Sequence, residues 1–258
     1  MKNILTKIFS SKNDLSSKEI SFLEIAKTTK VSELFNAISN YNDSSEIRYV
    51  GGCVRKILNN EKFDDIDLAT NLKPDEVKEC LKNNNIDFFE TGIDHGTITA
   101  HIDEKNFEIT SLRKDVSTDG RRAIVEFTNE WIEDALRRDF TINSIYADKE
   151  GNLFDPNDGV KDLENGKIEF IGDPEKRVKE DYLRILRYVR FFLNYSKQEH
   201  KLNIKKIIKQ NISGIVKLSK ERLIDELKKL VISNGFINIG NDEFCKEIVL
   251  LIFPQVKN

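Results

Sequence analysis

The stretch Gly51-Gly52-Cys53-Val54-Arg55, followed a dozen residues on by Asp64-Asp65-Ile66-Asp67-Leu68-Ala69-Thr70, decides how this chain is read. Alternate residues of a β-strand face the same side, so Asp65 and Asp67 on one strand aim two hard oxygen ligands at one point. A Gly-Gly pair closing an apolar run lets backbone amides approach a phosphate, and Arg55 beside it can clamp an anion. Together these parts suit a nucleoside triphosphate carried on Mg2+. Taken singly, Asp-x-Asp is also a polar strand edge and Gly-Gly an ordinary turn, so the combination at this spacing carries the signal.

Outward from this stretch, residues 47–50 read as a strand running into the Gly-Gly turn, and residues 54–60 as a short helix with its amide end toward the phosphates. Residues 31–41 precede them as a helix, with Val31, Leu34, Phe35 and Ile38 at helical spacing, while residues 1–30 form a Ser- and Lys-rich leader. Pro74 starts another helix, and residues 86–90, 97–102 and 106–112 alternate as strands. Residues 113–122 show no periodicity and read as a mobile loop placed to act as a lid. A helix over 131–138 precedes Arg137-Arg138-Asp139-Phe140-Thr141-Ile142-Asn143-Ser144-Ile145. From Asp173-Pro174 onward the strand signals stop and the pattern is helical, with a break around 211–214. The expected organisation is a leader over 1–30, a head over 31–172 and a helical part over 173–258, making the fold class α+β with a small mixed sheet.

The chain has 258 residues, 39% hydrophobic and 33% charged, enough for a sizeable core. No apolar run approaches the ~18 residues that span a bilayer, so a cytoplasmic protein without a membrane partner is expected. Cys53, Cys80 and Cys245 are widely spaced and read as buried thiols, and His95, His101 and His200 offer no ligand spacing. Net charge is −3, but residues 171–258 hold 18 Lys and Arg against 11 Asp and Glu, leaving the front of the chain acidic. A basic surface beside an acidic metal site suits a polyanion, although lysines such as Lys205, Lys206 and Lys209 also make an ordinary solvated helix face.

A third motif is Glu180-Asp181-Tyr182-Leu183-Arg184-Ile185-Leu186-Arg187-Tyr188-Val189-Arg190. On a helical wheel Tyr182, Ile185, Leu186, Val189, Phe192 and Leu193 share one arc, and Asp181, Arg184, Arg187 and Arg190 sweep the other. That polar arc is either an exposed face with an i,i+3 Asp181–Arg184 pair, or the positive charge that a triphosphate needs. Arg137-Arg138-Asp139 adds charge that equally compensates a helix C-terminus, and Thr141, Asn143 and Ser144 are short polar groups able to orient a sugar or phosphate.

In this order and spacing, the Gly-Gly-Cys-Val-Arg, Asp-Ile-Asp, Arg-Arg-Asp-Phe-Thr-Ile-Asn and Glu-Asp-Tyr-Leu-Arg-Ile-Leu-Arg motifs resemble the bacterial class II tRNA nucleotidyltransferase and poly(A) polymerase family, over roughly residues 45–230. The resemblance implies a polymerase-β-like head, a helical neck, and template-independent addition of C and A from CTP and ATP to the 3′ end of tRNA or another RNA. By matching position it implies that Asp65 and Asp67 hold Mg2+, that Gly51, Gly52 and Arg55 bind the triphosphate, and that Arg138, Asp139 and Asn143 contact the nucleotide. Asp181, Arg184, Arg187 and Arg190 would form the nucleotide pocket of the neck. There Asp181 would accept from the exocyclic amine of C or A, and Arg184 would donate to the ring nitrogen and carbonyl beside it.

The expected reaction is in-line attack of the RNA 3′-hydroxyl on the α-phosphate, with Mg2+ favouring both attack and departure of pyrophosphate. Glu108 is a candidate third catalytic carboxylate, or else a strand Glu paired with a nearby Lys. Two positions depart from the family pattern. Lys56 stands where the family usually has Asp after the Gly-Gly-x-Val-Arg run, and the chain ends at Asn258, soon after the Leu218–Leu223 segment that in the family opens the RNA-binding body. The alternatives are a poly(A) polymerase, an enzyme adding only A or only CC, and a shortened remnant that binds nucleotide or RNA without catalysis.

Overall fold

The computed structural model describes residues 22, 24–63, 65–92, 96–118 and 123–257. The chain divides into two compact units, one of residues up to 114 with 125–135 and 143–157, the other of residues 115–124, 136–142 and 158–258.

The first unit is built on a seven-stranded mixed sheet of order β3-β4-β5-β2-β1-β8-β9. Its strands are β1 (Ile47–Val50), β2 (Asp67–Thr70), β3 (Asp87–Gly92), β4 (Thr97–Ile102), β5 (Lys105–Ser111), β8 (Tyr146–Ala147) and β9 (Leu153–Phe154). The β2–β5 pair is parallel and the other neighbours are antiparallel. Helix α1 (Val31–Ser39) packs on α3 (Pro74–Asn83) and, with α2 (Gly52–Leu58), against β1. The expected periodicity holds in α1, where Val31, Leu34, Phe35 and Ile38 are all buried, and the Phe35 ring lies 4.8 Å from that of Tyr49 on β1. Val50, Ala69, Leu112, Trp131, Ala135 and Tyr146 form a second buried cluster, over which Arg48 lies 4.1 Å from the Trp131 ring.

Of residues 113–122, expected as a lid loop, 113–118 form instead β6 (Arg113–Thr118), which pairs with β7 (Ala123–Phe127) as a separate two-stranded sheet; 119–122 lie outside the described residues. Helix α4 (Trp131–Arg137) follows.

In the second unit, α5 (Gly159–Glu164), α6 (Pro174–Glu180), α7 (Leu183–Tyr195), α8 (Leu202–Asn211), α9 (Lys220–Val231) and α10 (Glu243–Ile252) surround an aromatic core. Phe140 and Phe170 stand 4.6 Å apart, Tyr188 stacks on Phe170, and Phe191 meets Phe140 edge-on at 5.4 Å. Asp173 caps α6 by accepting from Lys176 N at 2.8 Å, and Pro174 fills the first helical position, as the Asp-Pro pair predicts. Among the described residues no strand follows Phe154, and no helix is long and apolar enough to cross a membrane.

Candidate active site

The first group of site residues forms in the sheet unit. Strand β1 ends at Val50, and the chain turns at Gly51 with φ 69° and ψ −118°, backbone that any side chain resists. Helix α2 then begins at Gly52, two residues before the expected start, and a Cβ added there would meet Asp67 Oδ2 at 3.7 Å. Glycine therefore leaves one side of that carboxylate clear.

Asp67 is the first residue of β2 and pairs in parallel register with Glu108 on β5, so both carboxylates project from the same sheet face. Asp65 does not share the strand, contrary to the sequence reading. It stands two residues upstream, outside any regular element, and is exposed. Glu108 is also exposed, and among the described residues it has no lysine partner. Asp67 and Glu108 lie on one face, with exposed Asp65 just ahead of the strand and side-chain-free Gly52 at the Asp67 carboxylate; all three carboxylates offer the oxygen donors Mg2+ takes, but among the described residues they do not close into a ligand cluster.

Arg55 is buried in α2, and its guanidinium donates to Asn143 Oδ1. Asn143 lies in the 3-10 turn Thr141–Asn143 and is itself buried, so the fold joins two sequence-predicted residues from distant motifs. Cys53, inside the Gly-Gly motif, donates its thiol to Val50 O at 3.3 Å and Asp67 O at 3.6 Å. Burial, helped by the Asp67 charge, pushes that thiol up to about 11.

The second group lies in the helical unit. The Glu180–Arg190 motif is not one helix: Asp181 takes an extended conformation, φ −150° and ψ 105°, between α6 and α7. Its Oδ1 accepts from Leu183 N at 3.1 Å, and its Oδ2 receives Arg222 Nη2 at 2.7 Å. The expected Asp181–Arg184 pair is accordingly replaced, because Arg184 Nη1 bonds Glu180 Oε2 at 2.6 Å and Arg177 O at 2.8 Å. Arg187 Nε donates to Asp139 Oδ2 at 2.6 Å, and Arg190 Nε to Glu226 Oε1 at 2.6 Å.

Neither is this an exposed face, since all three arginines are partly buried. Burial opposes the charge of Arg187, but Asp139 and Glu226 outweigh it and hold the guanidinium protonated above its usual range. Asp139 also accepts from Phe140 N at 2.9 Å, while half-buried Arg138 presents its carbonyl to Arg177 Nη2. Arg222 and Glu226 were not singled out from sequence. Each lies 36 or more residues from its partner, so no local spacing signals it.

Residues 47–169 match the poly A polymerase head domain. The chain is 43% identical over 223 residues to human mitochondrial CCA tRNA nucleotidyltransferase 1, covering 85% of this chain and 50% of that protein. It is 36% identical over 251 residues to the Lactobacillus johnsonii CCA-adding enzyme, covering 89% of this chain and 61% of that one. Its fold superposes on the Bacillus stearothermophilus CCA-adding enzyme in complex with CTP with a TM-score of 0.69 at 29% identity, over 81% of this chain and 50% of that one. The chain thus spans about half the length of the curated relatives it matches, from 44% to 61%.

Proposed function

Because residues 47–169 match the poly A polymerase head domain, we propose that this chain adds C and A from CTP and ATP to the 3′ end of tRNA by Mg2+-dependent, template-independent nucleotidyl transfer. The observation that carries the reading is the in-register pair Asp67 and Glu108 on adjacent parallel strands, with the Gly51-Gly52 turn at the Asp67 carboxylate. The relatives' names support the same substrate class.

Asp65 and Asp67 are the residues that would hold Mg2+, and the ion would supply neutralisation of the triphosphate's charge during transfer. Glu108 adds a third carboxylate on the same face as Asp67. The Gly51-Gly52 backbone and Arg55 contact phosphate oxygens, Arg55 being held in place by buried Asn143. In the helical unit Asp181 acts as acceptor for the exocyclic amine of C or A, and Arg184 as donor. Each carboxylate oxygen keeps lone pairs beyond those used by Leu183 and Arg222. Arg187 and Arg190, fixed through Asp139 and Glu226, add positive charge for an incoming anion, and Arg138 supplies a further cation. The three buried, unpaired thiols fit a reducing compartment, and we place the protein in the cytoplasm.

The test is incubation of the purified chain with Mg2+, each labelled triphosphate, and tRNA ending before CCA, before CA or before A. Incorporation of C and then A carries the proposal. Long A tails would make the chain a poly(A) polymerase, A alone or CC alone a partial enzyme, and tRNA binding without incorporation a non-catalytic remnant.

A further inference from the structure

Three side chains of the helical unit that belong to neither site group converge: His200 in the segment between α7 and α8, Asp242 as N-cap of α10, and Cys245 in the first turn of α10. Their donor atoms all lie within 4.8 Å of one another, and among the described residues they are the trio of His, Cys, Asp or Glu that closes so tightly. We propose that His200 Nε2, Asp242 Oδ2 and Cys245 Sγ form a binding site for a zinc-class divalent cation, distinct from the Mg2+ of nucleotidyl transfer.

The donor chemistry selects the metal. An imidazole nitrogen, a carboxylate oxygen and a thiol sulfur form the mixed set that borderline-soft ions take, whereas Mg2+ and Ca2+ take oxygen alone. Spacing agrees. Tetrahedral bonds of about 2.0–2.1 Å to nitrogen or oxygen and about 2.3 Å to sulfur put neighbouring donors about 3.3 to 3.6 Å apart. Here Nε2 stands 3.7 Å from Sγ and 2.9 Å from Oδ2, so these two gaps need to change by a few tenths of an ångström or less, while the third, within 4.8 Å, closes on binding.

The surroundings hold the donors in place. Tyr188 Oη sits 3.0 Å from Nδ1, the ring nitrogen that faces away from the trio, as metal-binding histidines require of an outer partner. Phe192 stacks on the imidazole at 3.5 Å and Phe244 meets it edge-on at 4.7 Å, limiting rotation of the ring and access of water. Asp242 Oδ1 accepts from Cys245 N at 2.8 Å and also lies 3.1 Å from His200 Nε2, so the carboxylate is tied to the same helical turn as the sulfur and faces the imidazole with both oxygens. On binding, the Cys245 thiol proton leaves to solvent. The imidazole then carries its proton on Nδ1, donating to Tyr188 Oη. Three protein ligands leave a fourth position for water.

The probe is Co2+, added to reduced, chelator-treated protein with Mg2+ in excess. One equivalent is expected to bind and give a thiolate-to-cobalt charge-transfer band, which Zn2+ abolishes by displacement. Cys245→Ser removes the band, Cys53→Ser keeps it, and Tyr188→Phe weakens binding by about 10- to 100-fold. A second sign is a rise in the wild type's thermal midpoint with Zn2+ that His200→Gln lacks. No stoichiometric uptake by the wild type, or a band that survives in Cys245→Ser, overturns the assignment and leaves a hydrogen-bonded trio only. None of these readouts depends on nucleotide incorporation.

Discussion

At the scale of single residues, Glu226 does more than its sequence position suggests. With its side chain only 3% exposed, it bonds Arg190 at 2.6 Å and lies 3.7 Å from Arg187. Removing one partner of a buried ion pair leaves the others uncompensated, so Glu226→Ala is expected to cost about 3–5 kcal/mol by urea denaturation. A loss below about 1 kcal/mol would mean that water already screens the cluster. Cys53, Cys80 and Cys245 are all buried, so the native chain is expected to react slowly with a thiol reagent and to expose three reactive thiols once unfolded. Rapid labelling of a native thiol would contradict that packing. The buried cysteines were legible in sequence from their number and spacing. The Glu226 anchor and the His200–Asp242–Cys245 trio were not, because each joins residues that only tertiary packing brings together.

At the scale of elements, the Gly51 turn links strand to helix. Its φ of 69° and ψ of −118° suit glycine alone, so Gly51→Ala is expected to cost about 1–3 kcal/mol, read as a lowered urea midpoint at unchanged slope. An unchanged midpoint would mean that the turn relaxes freely. Strands and helices with a clean period, such as α1 and β4, were readable within a residue or two. Two elements were not. The wheel over Glu180–Arg190 runs smoothly through the break at Asp181, because an extended residue that caps the next helix through its own carboxylate leaves hydrophobic spacing intact. The β6–β7 ribbon lacks alternation, so its pairing left no periodic trace.

At the scale of the whole molecule, the front of the chain is acidic and residues 171–258 carry 18 basic against 11 acidic side chains. If the basic part contacts RNA through about three phosphates, affinity falls roughly twentyfold to fortyfold between about 50 and 200 mM salt. A flat salt response would remove the lysine-rich helices from the interface. The resemblance to the poly A polymerase head and the α+β class were legible because glycine turns and paired carboxylates fix residues at fixed local spacings, and those survive without any knowledge of packing. The most direct test is single-turnover incorporation of labelled CTP and ATP into tRNA lacking CCA, comparing wild type with Asp67→Asn at saturating Mg2+. Wild-type incorporation is expected, with a loss on the order of 10³-fold in the variant and tRNA binding kept. Incorporation by Asp67→Asn at the wild-type rate would contradict it.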